Sequence, residues 1–133
     1  PGIVLDTNIV LDLLVFKDPL TQPLQAALST CALRWIATPA MRDELERVLA
    51  YPQIAKRLAF YALLPEAVLA ARDALVHTVA VADKAPVTCK DPDDQRFIDL
   101  AVAHRCTVLS KDQAVLCMAK MLLALGAHAR AAI

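Results

Sequence analysis

Short apolar runs alternate with longer segments of helical character along the whole chain. The runs Ile3–Leu5, Leu33–Ala37 and Thr107–Leu109 resemble strands, and apolar residues recur at helical spacing between them. His77–Val81 and His128–Ile133 are weaker strand predictions, the second at a sheet edge. This alternation is typical of a parallel sheet with helices on both faces, so the sequence predicts an α/β fold with a central parallel sheet.

Prolines predict where several helices begin. Thr38 followed by Pro39 supplies an N-cap and a first-turn proline, which predicts a helix to about Leu49. Pro52 and Pro65 stand at equivalent positions, so we expect a helical arm at about 52–77. Further helices are predicted at about 8–16, 22–31 and 93–104, and from 110 onwards.

The bulk composition limits the protein classes that fit. The chain has 133 residues, which suits one domain (1–133), and 58% of them are hydrophobic, with a mean hydropathy of +0.48. Asp12 and Lys120 interrupt the longest apolar stretches, so neither stretch is long enough for a membrane span. No signal-peptide pattern opens the sequence, and we therefore expect a cytoplasmic protein without a membrane partner.

Charge and cysteine content add no independent sign of a ligand. Lys plus Arg and Asp plus Glu both number 14, so no overall positive field advertises a nucleic-acid partner. The four cysteines lack zinc-site spacing, and we expect buried free thiols at Cys31, Cys89, Cys106 and Cys117. The histidines His77, His104 and His128 are scattered, which favours structural or surface roles. Any hypothesis about function must therefore rest on a local site.

Two acidic residues follow predicted strands. Asp6 comes directly after Ile3–Leu5, and Asp112 lies three residues beyond Leu109. Ligands of open parallel sheets bind beyond the carboxyl ends of the strands. We therefore expect both carboxylates to lie in a crevice there.

Helical spacing selects two more acids. Asp94 shares a helix face with Phe97, Ile98 and Ala101, whereas Asp99 is about 140° away and is predicted to face solvent.

In the helix after Thr38, Glu44 flanks the apolar face that Met41 and Leu45 define, and Asp43 and Glu46 point further outward. Glu44 and Asp94 are therefore the inward acids of their helices.

Four inward acids without an equivalent buried lysine or arginine call for a divalent cation. All-carboxylate surroundings favour Mg²⁺ or Mn²⁺ over zinc. One or two such ions suit phosphodiester hydrolysis, because they activate water and stabilise the leaving oxygen.

The acidic motifs resemble those of the PIN-domain nuclease family. Asp6-Thr7-Asn8, Glu44-Leu45, Asp91-Pro92-Asp93-Asp94 and Ser110-Lys111-Asp112 are similar to its four acidic segments, in the expected order. Ser110 stands where threonine is more usual. The chain is most similar to the bacterial branch whose members are toxin components of toxin-antitoxin systems.

The resemblance implies a three-layer α/β/α sandwich and metal-dependent endoribonuclease cleavage of single-stranded RNA. It also implies homodimers and, for toxin members, a cognate antitoxin. By carry-over, the catalytic metal cluster is Asp6, Glu44, Asp94 and Asp112, the supporting polar groups are Asn8 and Ser110, and the possible auxiliary ligands are Asp91 and Asp93.

Other interpretations stay open at this point. Each acidic motif alone is also an ordinary helix cap or turn. Arg42, Arg47, Lys56 and Arg57 suit a solvated helix face better than an RNA track. The main alternative function is a non-catalytic PIN-fold module that holds a partner's arginine in its acidic pocket. A phosphoryl-transfer domain fits less well, because Asp6 lacks a second acid close by in sequence.

Overall fold

The computed structural model describes residues 1–133 and contains five strands and eight α-helices. The strands are β1 (Gly2–Leu5), β2 (Arg34–Ala37), β3 (Val76–Thr78), β4 (Thr107–Leu109) and β5 (His128–Arg130). The helices are α1 (Thr7–Leu14), α2 (Gln22–Ser29), α3 (Pro39–Leu49), α4 (Pro52–Phe60), α5 (Pro65–Leu75), α6 (Gln95–His104), α7 (Gln113–Leu116) and α8 (Ala119–Ala124). Two 3₁₀ helices cover Pro19–Thr21 and Pro92–Asp94.

All five strands are parallel and lie in the order β3-β2-β1-β4-β5. The chain builds outward from β1 to β3 on one side and from β4 to β5 on the other. The strand order therefore changes direction between β1 and β4, and a crevice is expected at the carboxyl ends of such a pair.

Two apolar cores cover the two faces of the sheet. Along β1, Ile3 and Leu5 belong to the core shared with α1 to α5, whereas Val4 belongs to the core shared with α6 to α8. Side chains of a strand alternate between faces, so both faces must be apolar when helices cover both. This explains why the strands are continuous apolar runs in the sequence. The predicted α/β/α sandwich with a parallel sheet is confirmed.

Element boundaries match the sequence predictions closely where strong signals exist. The β4 range and the α3 range are those predicted. The predicted arm contains α4 and α5, each beginning at a proline. The predicted 93–104 helix is shorter at its start, because Pro92–Asp94 forms a 3₁₀ turn before α6. No helix of the chain combines the length and the apolarity that crossing a bilayer requires.

Two predictions about individual side chains are wrong. Cys89 and Cys106 are buried free thiols, but Cys31 and Cys117 are exposed. Asp99 does not simply face solvent, since it is half-buried and accepts hydrogen bonds from the backbone N–H of Ala85 and from Gln95 Nε2, both at 2.8 Å. Asp99 therefore anchors the irregular segment before α6.

Candidate metal centre

The centre begins where β1 and β4 end side by side. Leu5 pairs with Leu109, and the backbone N–H of Asp6 donates to the Leu109 carbonyl at 2.9 Å. Strand pairing thus places Asp6 beside Ser110, whose hydroxyl donates to Asp6 Oδ2 at 2.6 Å. The same hydroxyl oxygen accepts from the backbone N–H of Asp112 at 3.0 Å. A fully buried serine therefore joins the two acidic segments.

Three acids from two segments converge at this edge. Carboxylate oxygens of Asp91, Asp94 and Asp112 all lie within 4.8 Å of one another. Asp91 caps the 3₁₀ turn and Asp112 caps α7, each by accepting a backbone hydrogen bond through Oδ1. Capping holds both side chains in place at helix starts. The remaining oxygen of Asp91 accepts no hydrogen bond within the protein, and the Asp112 carboxylate also contacts the Asp94 carboxyl.

Asp94 is the most unusual member of this group. It is 7% exposed, and its Oδ2 is the only fully buried side-chain nitrogen or oxygen in the protein that lacks a hydrogen-bond partner. Buried polar atoms are nearly always hydrogen-bonded, so an exception needs an explanation such as an ion. A cation between Asp91, Asp94 and Asp112 would supply the missing partner.

The pKa values of Asp94 and Asp112 also indicate a missing cation. Burial raises the pKa of Asp94 to about 8, and proximity to Asp112 and Asp6 adds to the rise. The pKa of Asp112 is lowered, first by the hydrogen bond with Asp94. Contact between these two carboxyls therefore disfavours ionisation of both at once. A divalent ion could offset this repulsion, because it neutralises both carboxylates.

Asp6 lies near Asp94 but is not a member of the three-acid group. Both its oxygens are engaged: Oδ1 accepts from the backbone N–H of Thr7 at 2.7 Å, and Oδ2 accepts from Ser110. Burial raises its pKa, which the nearby charges of Glu44 and Asp112 raise further. Asp6 is thus close enough to add negative potential to the centre while being held rigidly in place.

Glu44 is half-buried on the inner flank of α3, whereas Asp43 and Glu46 are exposed, as the helix-face argument predicted. Glu44 Oε2 accepts a hydrogen bond from the Thr7 hydroxyl. This contact ties α3 to the start of α1. Glu44 therefore borders the centre through Thr7 and Asp6 and is not part of the close three-acid group.

The predicted supporting residues separate into two kinds. Asn8 Nδ2 lies 3.5 Å from Asp6 Oδ2, and Asn8 Oδ1 accepts from the backbone N–H of Lys111 at 3.3 Å. Asn8 and Ser110 therefore both link the Asp6 and Asp112 segments. Asp93 is exposed, and its backbone N–H donates to Asp91. The structure brings Asp91, not Asp93, to the other acids.

One arginine is buried in the protein, although it does not pair with any of the four predicted acids. Arg72 of α5 is 5% exposed and reaches the small cavity that Thr7 and Met41 line. Helical spacing could have predicted this burial, because Arg72 lies four residues after Val68 and three after Leu69, both of which are buried. Arg72 does not hydrogen-bond to any of the four predicted acids.

Comparison with known proteins gives one match. A family model described as PIN domain matches residues 2–114, a span that contains every acid of the centre. No curated protein and no solved structure matches the chain.

The donor set suits a hard divalent ion. The carboxylates of Asp91, Asp94 and Asp112 offer oxygen only, and oxygen ligands favour Mg²⁺ or Mn²⁺. The nearest thiol, Cys89, is buried, and its pKa is raised by burial, so it is a poor thiolate ligand. The residues present therefore fit the ion that the fold family implies.

Proposed function

The chain belongs to the PIN-domain family, and on that basis we propose that it is a metal-dependent endoribonuclease that cleaves phosphodiester bonds of single-stranded RNA. PIN domains are generally metal-dependent nucleases. The observation that carries the proposal is the convergence of the Asp91, Asp94 and Asp112 carboxylates, of which Asp94 is buried with its Oδ2 unpartnered. A site with an uncompensated buried carboxylate is arranged for a ligand that arrives later.

Asp91, Asp94 and Asp112 would hold one Mg²⁺ or Mn²⁺ ion, and Asp6 and Glu44 border the space where a second could bind. The bound ion supplies Lewis-acid activation of water and of the phosphate. The protein's own task is positioning. Ser110 and the Thr7 backbone N–H fix Asp6, and helix capping fixes Asp91 and Asp112, so little reorganisation is needed on binding.

We also propose that the chain acts as the toxin of a bacterial toxin-antitoxin pair in the cytoplasm. Its proposed partners are a cognate antitoxin and a second copy of the chain. The family resemblance supports this, as do the large apolar side chains exposed on the arm, Phe60 at 82% and Leu64 at 68%. The measurement is co-purification with the product of the neighbouring gene, together with the molecular mass in solution.

The cleavage test compares the native protein with Asp6→Asn, Asp94→Asn and a matched control, Asp43→Asn. Asp43 is an exposed acid on α3 outside the centre. With Mn²⁺ and a panel of single-stranded RNAs, we expect cleavage by the native protein and the control only. Equal cleavage by all four proteins would disprove the proposal.

Calorimetric titration separates catalysis from simple binding. We expect a saturable Mn²⁺ site in the native protein that Asp94→Asn removes. If the native protein neither binds Mn²⁺ nor cleaves any RNA, the alternative gains support: a non-catalytic module whose acidic pocket holds a partner's arginine.

A further inference from the structure

A buried arginine with unused donors lies outside the acidic centre. The Arg72 side chain is 6% exposed, and its only hydrogen bond runs from Nη1 to Asp73 Oδ1 at 2.9 Å. A guanidinium carries five N–H donors in a fixed plane. Arg72 is therefore buried with most of its donors free of protein partners.

Those free donors have access to solvent. Asp94 Oδ2 is the only fully buried side-chain polar atom without a partner, so the unbonded nitrogens of Arg72 must keep some exposed surface. Arg72 lines an open cavity of about 240 Å³. The residues that line this cavity are Arg42, Arg72, Asp73, Val76 and Thr78.

The cavity carries a positive charge. Arg42 donates from Nε and Nη2 to Asp73 at 3.1 and 3.0 Å, so Arg42 and Arg72 share one carboxylate. Glu46 lies 3.7 Å from Arg42, but this pair is largely exposed and therefore weak. Asp73 fixes both guanidinium planes, and the pair retains donors for a further anion. Arginine is suited to phosphate because its donors match phosphate oxygens in geometry.

The cavity lies on the same sheet edge as the acidic centre. Thr78 ends β3, and Asp6 follows β1 two strands away, which is about 10 Å at ordinary strand spacing. The Asp112 segment follows β4, one strand further from Thr78, at about 14 Å by the same spacing. Between them, above β2, α3 begins at the exposed residues Pro39 and Ala40, and Thr38 gives it no side-chain cap. The free N–H groups of a helix start also favour anions.

A nucleic-acid strand would cross this helix start. Arg42 and Glu44 are two residues apart on α3 and so leave it about 200° apart around the axis. Glu44 faces the acidic centre and Arg42 faces the cavity. A chain of phosphates could therefore have one member at the acids and another member, further along the strand, at the arginines.

We propose that Arg42 and Arg72 form a subsite for a backbone phosphate of the RNA strand other than the phosphate that is cleaved. The proposal rests on the proposed function and adds where the substrate is held. The subsite compensates for the neutral net charge of the chain, because it places positive charge only where the strand passes.

The kinetic test uses two substrates, a long single-stranded RNA and the small diester bis(p-nitrophenyl) phosphate, both with Mn²⁺. For Arg42→Gln we expect KM for RNA to rise about tenfold, as loss of a charged hydrogen bond implies, and kinetics on the small diester to stay unchanged. Arg47→Gln is the matched control, since Arg47 is an exposed arginine on the same helix. An equal loss on both substrates would show a merely structural role and overturn the subsite.

Arg72 is buried, so its variants need a folding control. We expect Arg72→Lys to keep the fold and the charge but to weaken RNA binding, because lysine lacks the planar fork. Circular dichroism and the small-diester rate report the fold. Unchanged RNA KM in both Arg72→Lys and Arg42→Gln would contradict the proposal.

A binding assay tests the subsite even if no cleavage is found. In an Asp94→Asn background, anisotropy of labelled RNA gives affinity as a function of salt. Arg42→Gln should weaken binding about tenfold and reduce the slope of log K against log salt by about 1. Absent cleavage with this result contradicts the proposed function alone. Affinity and slope equal to those of the Arg47→Gln control would overturn the subsite alone.

Discussion

Two buried carboxylates near α1 have nearly the same exposure and opposite surroundings. Asp12 is 6% exposed, and its Oδ2 meets Lys111 Nζ at 2.7 Å. Asp94 is 7% exposed and meets Asp91, Asp112 and the field of Asp6, with no cation. Lys111 immediately precedes Asp112, yet its ammonium group pairs with Asp12 and with none of the three acids.

This difference separates a carboxylate that the fold compensates with a cation from one that it does not. Burying a charge costs several kcal/mol unless a partner compensates it. Lys111 compensates Asp12 within the fold, and the pair fastens the Asp112 segment to α1. Asp94 has no such partner, and its raised pKa reflects the cost of ionising it in the fold. Such a cost is tolerated where a ligand supplies the compensation.

The largest expected effect comes from removing the functional carboxylate. Asp94→Asn should lower Mn²⁺-dependent cleavage by more than the roughly 100-fold that loss of a supporting partner costs. It should also stabilise the metal-free protein by about 1 kcal/mol, because a neutral amide replaces a buried acid. Cleavage assays and urea denaturation measure the two. A variant both inactive and clearly less stable would contradict the distinction from Asp12.

Ser110→Ala should have the next largest effect. The hydroxyl donates to Asp6 and accepts from the Asp112 backbone, so its loss frees both acidic segments. We expect Mn²⁺ affinity to fall about 10- to 100-fold, as for other residues that orient metal ligands. Ser110→Thr keeps the hydroxyl and serves as the control. Calorimetry showing equal affinity in Ser110→Ala and the native protein would argue against this role.

The pH dependence of stability should distinguish the two carboxylates further. Between about pH 4 and pH 8 the folded protein keeps a proton on Asp94 that the unfolded chain releases, because the pKa is raised from 3.8 to about 8. The free energy of unfolding should therefore fall as pH rises through this window, by up to about 1.4 kcal/mol per pH unit. The pKa values of Asp73 and Asp112 are lowered from 3.8, so these two groups change the stability only below about pH 4.

Thermal or urea unfolding across this window, without metal, measures the slope. Saturating Mn²⁺ should flatten it, because the ion takes the place of the proton. Asp94→Asn should show most of the flattening even without metal. A native protein whose stability rises steadily with pH in the absence of metal would show that Asp94 is ionised in the fold.

Asp12→Asn should give the smallest effect. Its partner Lys111 is half-exposed and can be solvated, so we expect destabilisation of about 1–2 kcal/mol instead of the larger cost of a fully buried pair. Cleavage per folded molecule should change by only a few-fold. Urea denaturation and an activity assay check both. A loss of activity as large as that of Asp94→Asn would remove the contrast between the two carboxylates.

Local signals predicted much of this molecule. Thr38 and Pro39 marked the start of α3, and the run Thr107–Leu109 marked β4, because both signals act within a few residues. Helix spacing also selected Glu44 over Asp43 and Glu46, since a rigid helix fixes which side chains share a face.

Predictions failed where a distant partner decides the outcome. Asp99 was expected in solvent, but the segment that contains Ala85 folds back over it. Arg72 was not recognised as buried, because its environment is made by α3 and the ends of β1 and β2. Asp91 and Asp93 are equivalent by composition, and only the 3₁₀ turn directs Asp91 toward Asp112.

The sequence by itself determined the α/β class, the parallel sheet and the set of acids that could line its carboxyl edge. Periodicity and capping are local, so they are legible along the chain. Only the tertiary structure decided which acids lie close together and which acid pairs with Lys111. It also decided where Arg42 and Arg72 lie relative to the acidic centre. Strand order makes those choices: it places Asp6 against Ser110, 104 residues away, at the hydrogen-bonding distance on which the site depends.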